Sequence, residues 1–388
     1  MKKIIALILA VTMLMNVNVY GVQKEEEESN VSAAKSSVLM EASSGTIIKA
    51  ENENEKLSPA SITKIMTLIL IFDSIHSGKI KLTDMVTTSA HAKSMGGSQV
   101  FLEEGEQQPV ETMIKCIIIA SGNDASVAMA EHISGSEEEF VEKMNERAKG
   151  LGMNSTNFED CCGLTDSDNH YTSAKDVAIM SRELITKYPE IFKYSTIWME
   201  PFTHKTAKGE SDFMLSNTNK LLKTNQYVKG LKTGSTSKAK YCVSTVAEKD
   251  GVELIAVIMA APDYKARFSL AEQLIKYGFS NCKVFKDKTN YRRRIDINGG
   301  KKEKVLIDSA GFSYVDTKGQ DLKKIKKSIV MRKDLTAPLK KGEVVGKISY
   351  LVGKKVIGET ELVAKESVEK SDYVYTFKKM VSYLLGLE

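Results

Sequence analysis

The stretch LSPASITKIMTLIL, Leu57–Leu70, places Ser61 three residues before Lys64, directly ahead of an apolar run. Ser58 is a residue type favoured at helix N-caps, and Pro59 suits the first helical position. The apolar residues that follow predict a buried helix. Residues three apart on a helix share a face, with their Cβ atoms about 5–6 Å apart. The stretch therefore predicts a core helix whose first turn carries a hydroxyl beside an amine.

The Ser61–Lys64 pair suits nucleophilic catalysis. A neutral lysine can take the serine proton, and burial or a second cation lowers the pKa of a lysine. The backbone N–H groups of a first helical turn have no intrahelical partner, so the Ser61 N–H can stabilise an oxyanion. The spacing alone is a weak signal, since Ser367–Lys370 repeats it. The alternative is a pair of polar residues at the mouth of a core helix.

Two further segments favour the catalytic interpretation. Ser121-Gly122-Asn123 interrupts an apolar helical stretch, which predicts a tight turn between two core helices. Lys232-Thr233-Gly234 opens a predicted strand, where Gly234 leaves room for a ligand backbone to approach. An S-x-x-K, an S-x-N and a K-T-G in this order form a far more specific combination than any one of them.

The first two thirds of the chain predict a mixed α/β fold of the α+β type. Residues 36–58 indicate two strands joined at a Ser-Ser-Gly turn, and helical patterns follow. Residues 227–262 predict a hairpin that turns at Asp250-Gly251. A helix over Tyr264–Phe279 closes the unit. This order fits an antiparallel sheet packed against a helical block.

The C-terminal third predicts a small β-sandwich followed by an amphipathic helix. Short strand-like segments separated by turns run from 283 to 370. The final segment, 371–388, is too short and too polar to span a bilayer, and it predicts an amphipathic anchor on a membrane surface. The alternatives are a helix packed on its own domain or a face that binds a partner. The apolar residues of this face are Tyr373, Phe377, Met380, Val381, Leu384 and Leu385.

The N-terminus predicts export. Residues 1–21 combine a basic start, an apolar stretch and a cleavage site after Gly21, as secretory signals do, and the alternative is an uncleaved anchor. The expected location is outside the cytoplasm, in the cell wall or on the outer face of the membrane. The predicted domains are 1–21 as signal peptide, 31–282 as catalytic domain, 283–370 as β-rich domain and 371–388 as tail helix.

The charge and the cysteine content limit which partners and metal ions are expected. The net charge is +5, but residues 285–370 hold 22 Lys and Arg against 12 Asp and Glu, a surplus of ten. Such a basic module favours an anionic membrane or wall polymer, or is simply a solvated lysine surface. Cys116 and Cys242 are predicted buried thiols, and a bridge between adjacent Cys161 and Cys162 would be strained. No metal-binding spacing occurs, so we expect no metal. We also expect no nucleic-acid partner.

The motifs as a set resemble a known family. The stretches SPASITKIMT, ASGNDASVAMAE, GLTDSDNHYTSAKDVA, GLKTGSTSKAKYC and APDYKARF occur in the order found in low-molecular-mass penicillin-binding proteins of the D-alanyl-D-alanine carboxypeptidase family, which includes sporulation-associated members. The resemblance implies the serine β-lactamase-like transpeptidase fold. It also implies removal of the terminal D-alanine from peptidoglycan stem peptides ending in D-Ala-D-Ala, without a cofactor, and covalent inhibition by β-lactams.

Site residues follow from the same resemblance. Ser61 would be the nucleophile, Lys64 its general base and Ser121 a proton relay. Ser235 stands where family members often carry histidine or tyrosine, so substrate preference is expected to differ. The implied substrate-binding residues are Asn123 for the peptide amide, Lys232, Thr233 and Gly234 around the terminal carboxylate, and Ser235 for its N–H as second oxyanion donor.

Three alternatives stay open at this point. A β-lactamase shares the three motifs, but no E-x-x-L-N glutamate motif occurs between Asn123 and Lys232. A D,D-endopeptidase acting on cross-links would need the same residues and a roomier leaving-group site. A non-catalytic wall-binding protein with the same fold belongs to a different class. Covalent labelling by penicillin separates this last alternative from the enzymes.

Overall fold

The computed structural model describes residues 34–207, 209–287 and 291–386, so the predicted signal segment 1–21 lies outside the described residues. The strands are β1 (Ser36–Glu41), β2 (Thr46–Glu51), β3 (Met85–Thr87), β4 (Gln107–Pro109), β5 (Met199–Thr206), β6 (Gly209–Ser216), β7 (Val228–Thr236), β8 (Lys240–Lys249), β9 (Val252–Ala261), β10 (Lys283–Asp287), β11 (Arg293–Asp296), β12 (Lys304–Ser309), β13 (Phe312–Asp316), β14 (Ile325–Met331), β15 (Val344–Val352) and β16 (Lys355–Ala364). The helices are α1 (Lys64–His76), α2 (Ala90–Ser94), α3 (Val110–Ile118), α4 (Asn123–Ser134), α5 (Glu137–Gly150), α6 (Ala174–Lys187), α7 (Phe192–Ser195), α8 (Leu221–Thr224), α9 (Tyr264–Asn281) and α10 (Tyr373–Leu384).

The main sheet is antiparallel, as predicted. Its strand order is β2-β1-β9-β8-β7, which leaves β7 at an edge. The hairpin β8–β9 turns at Asp250 and Gly251, both with positive φ (54° and 86°), the conformation that a two-residue hairpin loop requires. The sheet thus places the K-T-G segment of β7 on an open edge, where a ligand can reach its backbone.

The helical block begins with α1, which is buried over most of its length. Gly78, with φ 76°, follows the end of this helix. The predicted start is wrong, however. The chain enters through a 3-10 turn, Ala60–Thr63, and Pro59 occupies the cap position without a side-chain hydrogen bond. Ser58 stands one residue too early to cap, because the backbone turns at Ala60, which has φ 48°.

The β5–β6 hairpin is the main element that the sequence does not predict. Most of its residues are exposed or half-buried on both faces, so the alternation that marks a strand is weak. Phe213 of β6 packs edge-on against Phe101, with ring centroids 5.8 Å apart. The hairpin therefore packs against the loop that carries Phe101, between α2 and β4.

The C-terminal part has its own apolar core, formed by buried residues between Ile297 and Val368. A five-stranded sheet, β11-β12-β16-β15-β14, lies with the two-stranded sheet β10-β13. Phe312 of β13 stacks on Tyr350 of β15 with ring centroids 3.9 Å apart, which joins the two sheets as in the predicted sandwich.

The tail helix α10 buries none of its residues. Tyr375 donates a hydrogen bond to the Lys301 carbonyl oxygen, but Phe377 and Leu384 are 50% and 75% exposed. Its apolar side chains are therefore not packed on the neighbouring domain. None of the described helices combines the length and the apolarity that crossing a membrane requires.

Candidate active site

Ser61 and Lys64 are in contact. Lys64 Nζ lies 3.0 Å from Ser61 Oγ, 2.6 Å from Asn123 Oδ1 and 2.7 Å from the Cys162 carbonyl oxygen. The two carbonyl-type oxygens can only accept hydrogen bonds. A neutral amine would give them its two N–H groups, and its lone pair would then face the Ser61 hydroxyl. This geometry can extract a proton from Ser61.

The electrostatics favour a neutral lysine. Lys64 is fully buried, and burial lowers its pKa below the ordinary lysine value. The thiols of Cys162 and Cys161 and the carboxylates of Asp160 and Asp124 oppose this effect. The effect of burial on the pKa of Lys64 is the larger one, because no carboxylate forms a direct ion pair with Lys64 in the described part of the chain.

Lys232 is the second buried lysine of the site. Its Nζ donates to the Thr233 carbonyl oxygen at 3.0 Å. Burial, then the charges of Lys64 and Arg267, hold the pKa of Lys232 well below its usual range. Two lysines that repel each other in a buried site do not readily carry two protons. An incoming carboxylate beside Lys232 would favour the charge there.

The backbone of β7 lies directly on the turn that carries Ser61. A Cβ added to Gly234 would approach the Pro59 carbonyl oxygen to 2.8 Å and the Ser61 nitrogen to 3.0 Å. A side chain at this position would therefore push the strand away from Ser61. The glycine of K-T-G is required by this approach, and Ser235 follows it along the strand edge.

The Ser121-Gly122-Asn123 segment is the predicted break, between α3 and α4. Ser121 has φ 65° and is nearly buried. Asn123 Nδ2 donates to the Gly96 carbonyl oxygen at 2.7 Å, which fixes the amide so that Oδ1 faces Lys64. The break thus places the Asn123 amide against Lys64, and Ser121 lies two residues before Asn123 in the same turn.

The structure also reveals contributors that the sequence analysis did not single out. The Cys162 carbonyl oxygen belongs to a loop organised by Asp160, whose carboxylate accepts hydrogen bonds from four backbone N–H groups. Gly163, with φ 77°, has no room for a Cβ, which would fall 1.9 Å from the Ala60 carbonyl oxygen. Every residue has a backbone carbonyl group, so the sequence does not mark the one that acts here. The pattern Gly163-Leu164-Thr165 is the sequence feature that indicates this loop. The four donors are the N–H groups of Cys162, Gly163, Leu164 and Thr165.

Arg267 is another residue of the site that the sequence analysis named only as part of a longer stretch. It is nearly buried, and its Nη1 donates to the carbonyl oxygens of Gly234 and Cys242, both at 3.2 Å. Its Nε is buried without a partner among the described residues. Arg267 therefore supports the K-T-G strand from behind and adds positive charge there. No local sequence signal indicates these contacts, because Gly234 and Cys242 lie far from Arg267 along the chain.

The buried His170 is structural. Its Nδ1 accepts a hydrogen bond from the Glu159 N–H at 3.0 Å, so Nε2 carries the proton and donates to Thr63 Oγ1 at 2.9 Å. Burial lowers the pKa of His170, which favours the neutral ring. The ring orients Thr63, beside Lys64, and does not reach Ser61 Oγ.

The cysteines are all free thiols. Cys116 and Cys242 are buried, as predicted, and the adjacent Cys161 and Cys162 are unbridged. No group of acidic, histidine and cysteine side chains that could hold a metal ion occurs among the described residues. The reactive groups that the structure brings together are thus a hydroxyl, two amines, an amide and backbone N–H groups.

Comparisons with known proteins identify the relatives of this chain. A family model described as D-alanyl-D-alanine carboxypeptidase matches residues 22–263, and one described as the penicillin-binding protein 5 C-terminal domain matches residues 279–370. The D-alanyl-D-alanine carboxypeptidase DacF of Bacillus subtilis is 40% identical, with 98% of each chain covered. DacC of Escherichia coli is 36% identical over 88% of this chain and 85% of its own length.

Solved structures show the same relationship. Penicillin-binding protein 5 of Haemophilus influenzae superposes with a TM-score of 0.66 at 34% identity, covering 87% of this chain and 98% of that one. PBP3 of Streptococcus pneumoniae, described as a peptidoglycan synthesis regulatory factor, gives a TM-score of 0.70 at 26% identity, covering 87% and 99%. The chain belongs to the D-alanyl-D-alanine carboxypeptidase family, whose members are serine peptidases.

Proposed function

We propose that this chain removes the terminal D-alanine from peptidoglycan stem peptides through an acyl-enzyme on Ser61. The observation that carries the proposal is the 3.0 Å contact between Ser61 Oγ and a fully buried lysine nitrogen whose other partners are both carbonyl oxygens. In this arrangement Ser61 is the nucleophile and Lys64 is the general base.

The reaction proceeds by two acyl transfers. Ser61 Oγ attacks the carbonyl carbon of the penultimate D-alanine while its proton passes to Lys64. The N–H groups of Ser61 and Ser235 hold the oxyanion. The C–N bond then breaks, and the leaving amine takes a proton relayed through Ser121. Water attacks the ester in the same way, which releases the shortened peptide and restores the Ser61 hydroxyl.

Substrate binding uses the open edge of β7. An extended peptide can pair with this edge through its backbone, and Asn123 holds a peptide amide. Lys232 and Thr233 bind the terminal carboxylate, and Arg267 adds positive charge from behind the strand. A buried Lys232 that gains its charge beside a carboxylate explains selection of a free C-terminus, since an internal bond would not provide that partner. A β-lactam is expected to acylate Ser61 by the same steps.

The remaining organisation is part of the same proposal. Residues 1–21 direct export, 31–282 carry the enzyme, 283–370 form the β-rich domain and 371–388 hold the enzyme at the outer membrane surface. The exposed apolar residues of α10 support this last assignment, since Tyr373, Phe377 and Leu384 are all at least half exposed. The substrate, a wall peptide, lies on the same side of the membrane.

Fluorescent penicillin and a pentapeptide ending in D-Ala-D-Ala test the proposal. The wild-type protein should be labelled covalently and should release D-alanine, whereas Ser61→Ala should do neither. Ser58→Ala is the matched control, because Ser58 lies three residues away and makes no cap. Equal labelling of wild type and Ser61→Ala would disprove the assignment of the nucleophile. Faster cleavage of cross-linked dimers into monomers than release of D-alanine from the pentapeptide would instead identify an endopeptidase.

A further inference from the structure

A pocket of about 370 Å³ lies beyond the K-T-G segment, where β7 turns into β8. It begins at Ser235, the residue after the glycine that lies on the Ser61 nitrogen. Its lining residues are Ser235, Thr236, Ser237, Lys240, Tyr241 and Pro262. Serine, threonine and tyrosine hydroxyls, one ammonium and a ring give this wall a polar, positively charged character.

The direction of β7 decides which part of the substrate meets this pocket. Along the strand, Lys232 comes first, Gly234 lies on the turn of Ser61, and Ser235 follows. In the proposed function the terminal carboxylate lies beside Lys232, and the scissile bond lies at Ser61. The upstream part of the peptide must then continue past Ser235. The pocket consequently faces the residue that precedes D-Ala-D-Ala.

The two lysines of this turn, Lys238 and Lys240, differ in whether a carboxylate pairs with them. Lys238 is engaged, because its Nζ lies 2.6 Å from an Asp168 carboxylate oxygen and 2.7 Å from the Asp166 carbonyl oxygen. Lys240 is exposed and forms no ion pair within the described part of the chain. The nearest acidic residue along the chain from Pro262, Asp263, is occupied by the N–H groups at the start of α9.

A second cation lies behind the same wall. The Arg267 guanidinium is 5.6 Å from the centre of the Tyr241 ring. The pocket therefore carries an excess of positive charge, which attracts a carboxylate and repels a bare ammonium. The residue before D-Ala-D-Ala in stem peptides is a diamino acid, whose side chain ends either in an ammonium alone or in an ammonium with a carboxylate.

We infer that the pocket beyond Ser235 is the subsite for the residue preceding D-Ala-D-Ala, and that Lys240 selects a free carboxylate on that residue's side chain. The inference rests on the proposed function. Lys240 acts as a specificity residue, since it contacts a part of the substrate remote from the scissile bond. An exposed ion pair of this kind is worth up to about fivefold in kcat/KM.

Two pentapeptides test this subsite, identical except for meso-diaminopimelate or L-lysine at the third position. D-alanine release by the full-length enzyme should give a kcat/KM about fivefold higher for the diaminopimelate peptide. In Lys240→Gln the ratio should fall to about one, and in Lys240→Glu it should invert. Lys249→Gln, at the opposite end of β8, is the matched control and should keep the wild-type ratio. Thermal unfolding of each variant verifies that the fold is retained.

The outcomes separate the inference from the proposed function. A wild-type ratio of one, or an unchanged ratio in Lys240→Gln, overturns the selectivity alone while D-alanine is still released. Absence of D-alanine release from both peptides, with no penicillin labelling of the wild type, overturns the proposed function and the inference with it. A wild-type preference that Lys240→Gln abolishes and Lys249→Gln retains supports the subsite.

Discussion

Lys64 Nζ lies 3.0 Å from Ser61 Oγ, and it reaches this position from a side chain that is fully buried. Its other two contacts, with Asn123 Oδ1 and the Cys162 carbonyl oxygen, accept hydrogen bonds and offer no charge. A lysine that only stabilised the fold would be expected to pair with a carboxylate, because an unpaired buried ammonium is costly. The arrangement is better suited to an amine that gains and loses a proton.

Lys64→Met should abolish acylation and leave the protein folded. The substitution keeps the volume of the side chain but removes the base, which is expected to lower the rate of acylation by penicillin roughly 10²–10⁴-fold. The two acceptors lose their donor, at a cost of about 1–3 kcal/mol in the free energy of unfolding. Stopped-flow or quenched labelling measures the first effect, and chemical denaturation measures the second.

Another S-x-x-K of the chain supplies the control for Lys64→Met. Lys370→Met changes the lysine of Ser367–Lys370, which lies in the β-rich part of the chain. Ser367 Oγ there accepts a hydrogen bond from the Lys341 N–H, a structural contact. Labelling should be unaffected. If Lys64→Met were to unfold the protein while Lys370→Met did not, Lys64 would be a structural residue and not a base.

Asn123→Asp should shift the pH dependence of acylation to higher pH. A carboxylate in place of the amide, which lies 2.6 Å from Lys64 Nζ, favours the ammonium form and raises the pKa of Lys64. Acylation needs the neutral amine, so its rate rises as pH increases through the pKa of Lys64. In the wild type this rise lies below the ordinary lysine value, because burial lowers the pKa.

The measurement is the second-order rate constant for penicillin acylation as a function of pH. Asn281→Asp, at the exposed C-terminal end of α9, is the matched control and should leave the profile in place. Asn123→Asp should be slow at neutral pH and recover in alkaline buffer. A profile that coincides with that of the wild type would contradict the role of Lys64 as the titrating base.

Gly234→Ala should impair acylation by moving β7 away from Ser61. The new Cβ would lie 2.8 Å from the Pro59 carbonyl oxygen and 3.0 Å from the Ser61 nitrogen. Both are backbone atoms, which cannot avoid the clash by a side-chain rotation. A displacement of about 1 Å at a reacting centre can cost about a hundredfold in rate. Gly150→Ala, at the end of α5 with open space around it, is the control and should keep the activity. If Gly234→Ala were labelled as fast as the wild type, the close approach of β7 to the Ser61 backbone would not be required for acylation.

The elements that the sequence predicts well are those whose residues carry a local signal. The Asp250-Gly251 turn and the buried run of α1 are examples, because turn chemistry and apolar periodicity act over a few residues. Ser58 shows the limit of such signals, since it is a good cap residue that the backbone bypasses. The motif residues themselves were identified by type and spacing, and the structure brings Ser61, Lys64 and Asn123 into contact.

The contributions that escaped prediction are those made by backbone groups and distant contacts. The Cys162 carbonyl oxygen acts through its position, which Asp160 fixes across several backbone N–H groups. Arg267 acts through the far side of β7, and nothing around it in the sequence indicates that it will meet Gly234. Such contacts depend on how separate segments pack, which a single sequence does not encode locally.

Removal of residues 371–388 should release the protein from membranes without loss of D-alanine release. The helix α10 presents Phe377 and Leu384 to solvent at 50% and 75% exposure, and burying such side chains in a lipid interface contributes about 1.5–3 kcal/mol each. Sedimentation of the purified protein with anionic vesicles measures binding, and a soluble pentapeptide measures activity. Phe377→Glu with Leu384→Glu tests the apolar face without truncation, and Lys378→Gln, on the same helix, is the control. Vesicle binding that survives both the truncation and the double substitution would exclude α10 as the anchor.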